Sequence, residues 1–361
     1  LDKPAPFVIN GDMAVSQRST SVTGDGDGDS GYHTIDRFRF EEGNTPAAVW
    51  TMTQESLSSG AAYQAGFLKA LKMDCTTSDD LSNHGDILNV IKYATEQQDT
   101  HPFKKGTSNA EKYTVAFWIK ATKTGTHTCE LRDSTNDRAV SVAYTVSSSD
   151  TWEHKVLNFP ADTTGATGTG TTKGLEIYWC LHHGGNYGSG SALQTAWGGS
   201  ATNARYKGQV NNADSTSNNW HLTGVQLEVG EYDATTIPPF QHETYSDNLT
   251  RCMRYCQHIV SGNHKLISYA HWASGSQITF ILNILEMRAV PTIDYDNGND
   301  YWAIGGSSGS TNTIDTLIID GYSTNKCIGL YSGTAAGGTT GYAYYGFSDN
   351  ASARLALVSE L

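Results

Sequence analysis

Three groups of residues have the types and spacing to do chemistry. The first is Asp25-Gly26-Asp27-Gly28-Asp29-Ser30-Gly31, where Asp25, Asp27 and Asp29 alternate with small residues and offer oxygen ligands to a hard cation such as calcium. Set against a helix–loop–helix calcium loop, Ser30 stands where the sixth-position glycine belongs and Asp36 where a bidentate glutamate belongs. The residues that follow also read as a strand. The segment is therefore expected to be a solvated acidic turn, and the three aspartates remain as the candidate metal ligands. The second group is His182-His183. Neighbouring residues at a strand end point to opposite faces, so the pair is expected to make ordinary hydrogen bonds and not to chelate an ion. The third group is aromatic. Trp118, Tyr178 and His182 fall on the strand face opposite the main apolar stripe, and Tyr187, Trp197 and Tyr206 fall in a long polar stretch. Such rings stack on the apolar faces of pyranose sugars while amides and carboxylates take the hydroxyls. The plainer alternative is that the strand residues pack under that stretch or against a sister subunit.

No Gly-x-Ser-x-Gly elbow and no His-Glu-x-x-His helix is present. Carboxylates are plentiful, yet no local motif sets two of them together as a glycosidase pair. The expectation is a binding or structural protein, not an enzyme, with no cofactor.

These residues need strands to hold them, and period-two alternation dominates the chain. Tyr113, Val115, Phe117 and Ile119 share one face of Tyr113–Lys120, and Leu175, Ile177, Trp179 and Leu181 share one face further on. Other strand candidates are Ala47–Gln54, Gly66–Thr76, Thr126–Arg132, Arg138–Val146, Trp152–Phe159 and Trp220–Val229. Ile87–Ala94 fits a helical stripe as well as a strand, and is placed as a strand. Strands with one buried face each make a two-layer sandwich. Ala161–Lys173 and Gly184–Asn219 carry almost no apolar content, and loops of that length are often a working surface.

Around Ile237-Pro238-Pro239-Phe240 the ladder must stop, since proline cannot continue it. In Ser246–His258, residues Leu249, Cys252, Met253 and Cys256 recur at helical spacing, with Ser246 as N-cap and Asp247 in the first turn. Lys265–Ala270, Gln277–Glu286, Thr313–Ile319, Lys326–Tyr331, Gly341–Phe347 and Ala353–Leu361 read as strands again. The expected fold class is all-β. It comprises an N-terminal jelly-roll β-sandwich over 1–245, a short connecting helix over 246–258 and a smaller C-terminal β-sandwich over 259–361.

Lys and Arg number 24 against 37 Asp and Glu, a net charge of −13, so phosphate backbones are repelled and nucleic acid is excluded as a partner. No run of about 18 apolar residues exists, and no membrane insertion is expected. The six cysteines lack metal-type spacing and are expected to be thiols, which suits folding in a reducing cytoplasm.

Several segments, in order and spacing, resemble a broad family of bacteriophage tail-fibre and virion structural proteins. They are Ile9-Asn10-Gly11-Asp12-Met13 with Gln17-Arg18, then Tyr32 to Phe40, Tyr113 to Lys120 and Trp152-Glu153-His154-Lys155. Trp220-His221-Leu222-Thr223-Gly224-Val225-Gln226-Leu227-Glu228-Val229-Gly230 and Pro239-Phe240-Gln241 follow, then Arg251 to Gln257 and Glu286 to Thr292. The resemblance implies a jelly roll similar to carbohydrate-binding modules followed by a small β-domain. It also implies a place on the virion, often in a fibre, as a homotrimer among other virion proteins. The role so implied is attachment to a host surface glycan; a decoration or cement protein and a polysaccharide depolymerase are the alternatives. Related jelly rolls hold a structural calcium between an acidic residue near the first strand and an aspartate in the last. Asp12 matches the first position and Gly224 stands where the second is expected, so only the first half of that structural-calcium site carries over.

Overall fold

The computed structural model describes residues 5–26, 28–44, 46–80, 85–274, 276–296, 298, 301–305, 311–332 and 342–361. The chain divides into two compact units, Leu1–Asn248 with Leu361, and Leu249–Glu360.

The first unit contains β1 (Ser21–Asp25), β2 (Phe38–Gly43), β3 (Val49–Ser56), β4 (Lys69–Thr77), β5 (Leu88–Glu96), β6 (Tyr113–Ala121), β7 (Gly125–Asp133), β8 (Arg138–Val146), β9 (Glu153–Phe159), β10 (Lys173–His183), β11 (Gly198–Gly199) and β12 (Asn219–Val229). They form two six-stranded sheets, ordered β1-β3-β4-β12-β6-β9 and β11-β8-β7-β10-β5-β2. Late strands lie between early ones in each sheet, as β12 does between β4 and β6, and this interleaving is the jelly-roll pattern. Alternation decides which residues fill the space between the sheets. Trp50, Met73, Val115, Phe117, Ile119 and Leu222 come from one sheet, and Phe38, Phe40, Ile91, Tyr93, Ile177 and Trp179 from the other. Each such side chain contributes about 1.5–3 kcal/mol on burial.

Two strands depart from the half-buried pattern. Every residue of β5 is buried, and so is every residue of β10 from Gly174 to His182. Their second faces are covered by the polar stretch 184–219, which packs Tyr206 and Tyr187 on Leu88, Val90, Tyr178 and Cys180.

The helix spans Tyr245–Met253, shorter than its sequence pattern suggests. Thr244 caps it in place of Ser246: the Asp247 N–H donates to Thr244 Oγ1 at 3.2 Å, and that hydroxyl donates to Asp247 Oδ2 at 2.7 Å. Cys256, expected on the helix, instead begins a strand.

The second unit contains β13 (Cys256–Ser261), β14 (Leu266–Trp272), β15 (Ile278–Asn283), β16 (Thr292–Tyr295), β17 (Trp302–Gly305), β18 (Thr311–Ile314), β19 (Ile318–Ile319), β20 (Cys327–Ser332), β21 (Ala343–Ser348) and β22 (Arg354–Val358). Its sheets are ordered β13-β22-β16 and β18-β17-β21-β14-β15-β20-β19. Trp272, Phe280, Trp302, Ile328, Leu330 and Leu355 anchor its core. The chain is thus all-β apart from short helical pieces. Cys75, Cys129 and Cys180 are buried free thiols. No helix among the described residues is long and apolar enough to cross a membrane.

Candidate functional site

The outer face of the β5–β10–β7 sheet carries charge that the core could not accept. Lys92 of β5 reaches Glu41 of β2 at 2.6 Å and Glu176 of β10 at 3.3 Å. Burial opposes the Glu41 charge, but Lys92 outweighs it and holds the carboxyl below its ordinary pKa. The Tyr178 hydroxyl donates to Glu176 Oε1 at 3.3 Å, and burial pushes the Tyr178 and Tyr206 phenols up, so both are neutral.

Over this strip the loop 184–219 brings Arg205. Its Nε and Nη2 donate to the two Glu130 oxygens at 2.7 and 2.6 Å, a bidentate pair with almost no exposed surface. The guanidinium also lies over the Tyr206 and Tyr187 rings, 5.1 and 5.6 Å from their centroids. Tyr187 is thereby held with one face on Arg205 while remaining part-exposed.

Beside it opens a groove of about 440 Å³ lined by Arg132, Asp137, Asn186, Tyr187, Asn203 and Arg205, among others. Its charges are balanced internally. Glu130 takes Arg205, while Ser200 accepts from Arg132 Nη2 at 3.2 Å and donates to Asp137 Oδ1. What remains at the surface is the Tyr187 ring, the Asn186 and Asn203 amides, and Arg132 and Asp137 bridged through Ser200. That set hydrogen-bonds hydroxyls and stacks on a C–H face, the recognition chemistry of a neutral sugar.

Of the aromatic residues singled out in the sequence, the structure brings together Tyr178, Tyr187 and Tyr206. Only Tyr187 offers surface to a ligand, since Tyr178 is 3% exposed and Tyr206 is fully buried. His182 is also fully buried. A β-bulge between Cys180 and His182 shifts the pairing with β5, and His182 Nδ1 meets Asn89 Oδ1 at 3.2 Å, the same oxygen that accepts from Trp50 Nε1. These three rings have no free face for a sugar. Trp118 lies on the other sheet, stacked on His154 with centroids 5.1 Å apart. Trp197 is tied down by its Nε1–H donating to Pro160 O at 2.7 Å and by Lys105 over its ring. His183 is bonded within the loop, Nδ1 to Gly184 O at 2.9 Å. Sequence reading missed Arg132, Asp137, Asn186, Asn203 and Arg205. The one local signal was the Asn186-Tyr187 pair; the rest depends on which loop residue returns over which strand.

In the acidic loop, Asp25 is buried at the end of β1, Asp29 is exposed, and Asp27 lies outside the described residues. The expectation of a fully solvated turn therefore fails at Asp25. Asp36 is committed elsewhere, accepting from the Gln17 N–H at 2.9 Å and from Gln17 Nε2 at 2.5 Å. Asp12 Oδ1 accepts from Asn248 Nδ2 at 3.1 Å. Gly224 has a physical reason to be glycine: its φ is +62°, and a Cβ would lie 2.6 Å from the Phe67 ring.

No family model and no curated protein matches this chain. Solved structures similar to it include the enzymatically active domain of tailspike protein 4 of bacteriophage CBA120. That likeness has a TM-score of 0.31 and 12% identity over 59% of this chain, and covers 21% of that one. A Bacteroides thetaiotaomicron protein assigned to sugar binding is similar with a TM-score of 0.30 and 11% identity, over 62% of this chain and 100% of that one. The family 11 carbohydrate-binding module of a Clostridium thermocellum cellulase gives 0.28 and 10%, over 57% and 95%.

Proposed function

We propose that this chain is a non-enzymatic, glycan-binding subunit of a bacteriophage particle, a fibre or appendage that attaches to a host surface polysaccharide through the groove at Tyr187. One observation carries the reading: a part-exposed ring fixed by a buried Arg205–Glu130 pair beside Asn186 and Asn203. A site ordered before contact loses little side-chain entropy on binding, so weak polar contacts suffice. Internal charge balance points to neutral hexose units. No paired carboxylates face each other across the described groove, and no bond cleavage is assigned to it. The virion setting rests on the sequence resemblance.

Self-association as a trimer belongs to the same proposal. Tyr269 and Tyr345 pair across β14 and β21, with Ile281 on neighbouring β15, and the three are exposed by 78, 44 and 55%. A contiguous apolar stripe of that kind suits contact with another copy, and several grooves on one particle raise the effective affinity. The test is binding of the purified protein to an array of neutral bacterial surface oligosaccharides. Retention by wild type and loss in Tyr187→Ala supports the groove; equal retention by both removes it.

A further inference from the structure

The end of β1 holds a second cluster, unrelated to the groove. The chain leaves Asp25 through Gly26, whose φ of +138° and whose approach to Ala48 O, 2.5 Å from where a Cβ would stand, make room for the turn. It returns through a bridge in which Gly31 and Phe40 exchange N–H···O bonds of 2.9 Å. The His33 ring then lies flat on Gly31, where a Cβ would come within 2.7 Å of it. The result brings one ligand atom each from Asp25, Asp29 and His33 within 4.8 Å of one another.

An acidic loop with a nearby histidine is not in itself a site. What distinguishes this one is Asp25. Its side chain has no exposed surface, and its two oxygens have no close side-chain hydrogen bond, the Met52 backbone N–H alone lending a weak one. Buried carboxylates are ordinarily bonded, protonated or bound to a cation. Its Oδ1 lies 3.6 Å from His33 Nε2, and that nitrogen donates to the Asp29 carbonyl oxygen at 3.2 Å, a hydrogen bond that an ion on Nε2 would replace. Ligands about 2.0–2.1 Å from one ion at tetrahedral angles stand about 3.3–3.4 Å apart. Asp25 and His33 already have nearly that spacing, and the Asp29 ligand atom lies within 4.8 Å of both.

The donor set also selects the ion. Calcium and magnesium take oxygen ligands, whereas an imidazole with two carboxylates suits zinc and its first-row neighbours. Two carboxylates cancel the charge of a divalent ion, which matters because Arg18 and Arg39 also act on His33. We propose that Asp25, Asp29 and His33 bind one divalent transition-metal ion of the zinc class, pinning the loop between β1 and β2 and leaving one coordination position to water.

The experiment uses the full chain without any histidine tag, stripped of metal, at about pH 7.5 where the ligands are deprotonated. Co²⁺ is titrated as the spectroscopic probe and Zn²⁺ by calorimetry. Expected are saturation at one ion per chain, visible Co²⁺ bands that Zn²⁺ abolishes and equal Ca²⁺ does not, and affinity lowered by roughly 100-fold or more in Asp25→Asn and in His33→Gln. Asp29→Asn, at an exposed position, provides the same reading if the buried variants do not fold. Absence of binding up to about 1 mM Zn²⁺ would overturn the proposal, leaving Asp25 and His33 as a proton-sharing pair. So would unchanged affinity in the variants, which places the ion elsewhere, or displacement by Ca²⁺.

Discussion

A carboxyl group cut off from water makes folding sensitive to pH, and Asp25 is such a case. Burial, reinforced by the Asp29 charge and opposed by the Met52 backbone, raises its pKa from 3.8 to about 7. Between those values the metal-free folded chain keeps a proton that the unfolded chain has released. The contribution of Asp25 is therefore fully present below about pH 4 and is lost as pH rises through about 7. His33 acts the other way, because burial lowers its pKa, and Asp29, Arg18 and Arg39 bear on it. Comparison with Asp25→Asn isolates the aspartate. The stability of wild type minus that of the variant, from denaturant midpoints, should decline steadily from about pH 4 to 7, and a flat difference would contradict the burial. Arg205 makes a second residue-scale case. Arg205→Ala strands the Glu130 carboxylate in a dry environment and should cost about 3–5 kcal/mol in denaturant unfolding at neutral pH.

At the scale of elements, β6 was readable because Val115, Phe117 and Ile119 meet the core between the sheets while Trp118 and Lys120 stand on the other, half-buried face. In β10 the alternation was readable too, but it marked only one of two buried faces. The second is closed by residues about twenty to thirty positions later in a stretch whose composition says only that it is polar. Tyr206 tests that closure. Tyr206→Ala should cost about 3–5 kcal/mol, as a core aromatic does, where an ordinary loop tyrosine would change stability by under about 0.5 kcal/mol. The helix was overextended for a related reason. Cys256 keeps the helical spacing, yet Cys256 to Ser261 pair with Val358 to Arg354, a partner about 100 residues distant that no local pattern announces. The bulge in β12 between Thr223 and Gln226 was equally hidden, although Gly224 marks it. Gly224→Ala, strained at positive φ and driven into Phe67, should cost about 1–3 kcal/mol by chemical denaturation. In the groove itself only Tyr187 was legible, because Glu130 and Arg205 meet through folding and not through spacing.

For the whole molecule, a net charge of −13 on 39.0 kDa gives a surface that phosphate backbones avoid, and no retardation of duplex DNA is expected even at low salt. If the exposed stripe of Tyr269, Ile281 and Tyr345 joins copies, light scattering should report three times 39.0 kDa, and Tyr269→Ser should lower that mass. The central claim is that an ordered groove at Tyr187 holds a neutral glycan. Calorimetric titration of wild type and Tyr187→Ala with the best-retained oligosaccharide tests it most directly. The expected result is one saturable site per chain, weakened roughly ten-fold or more in the variant while its melting temperature stays within a few degrees of wild type. Equal affinity in both proteins, or no saturable heat with any neutral oligosaccharide, would contradict it.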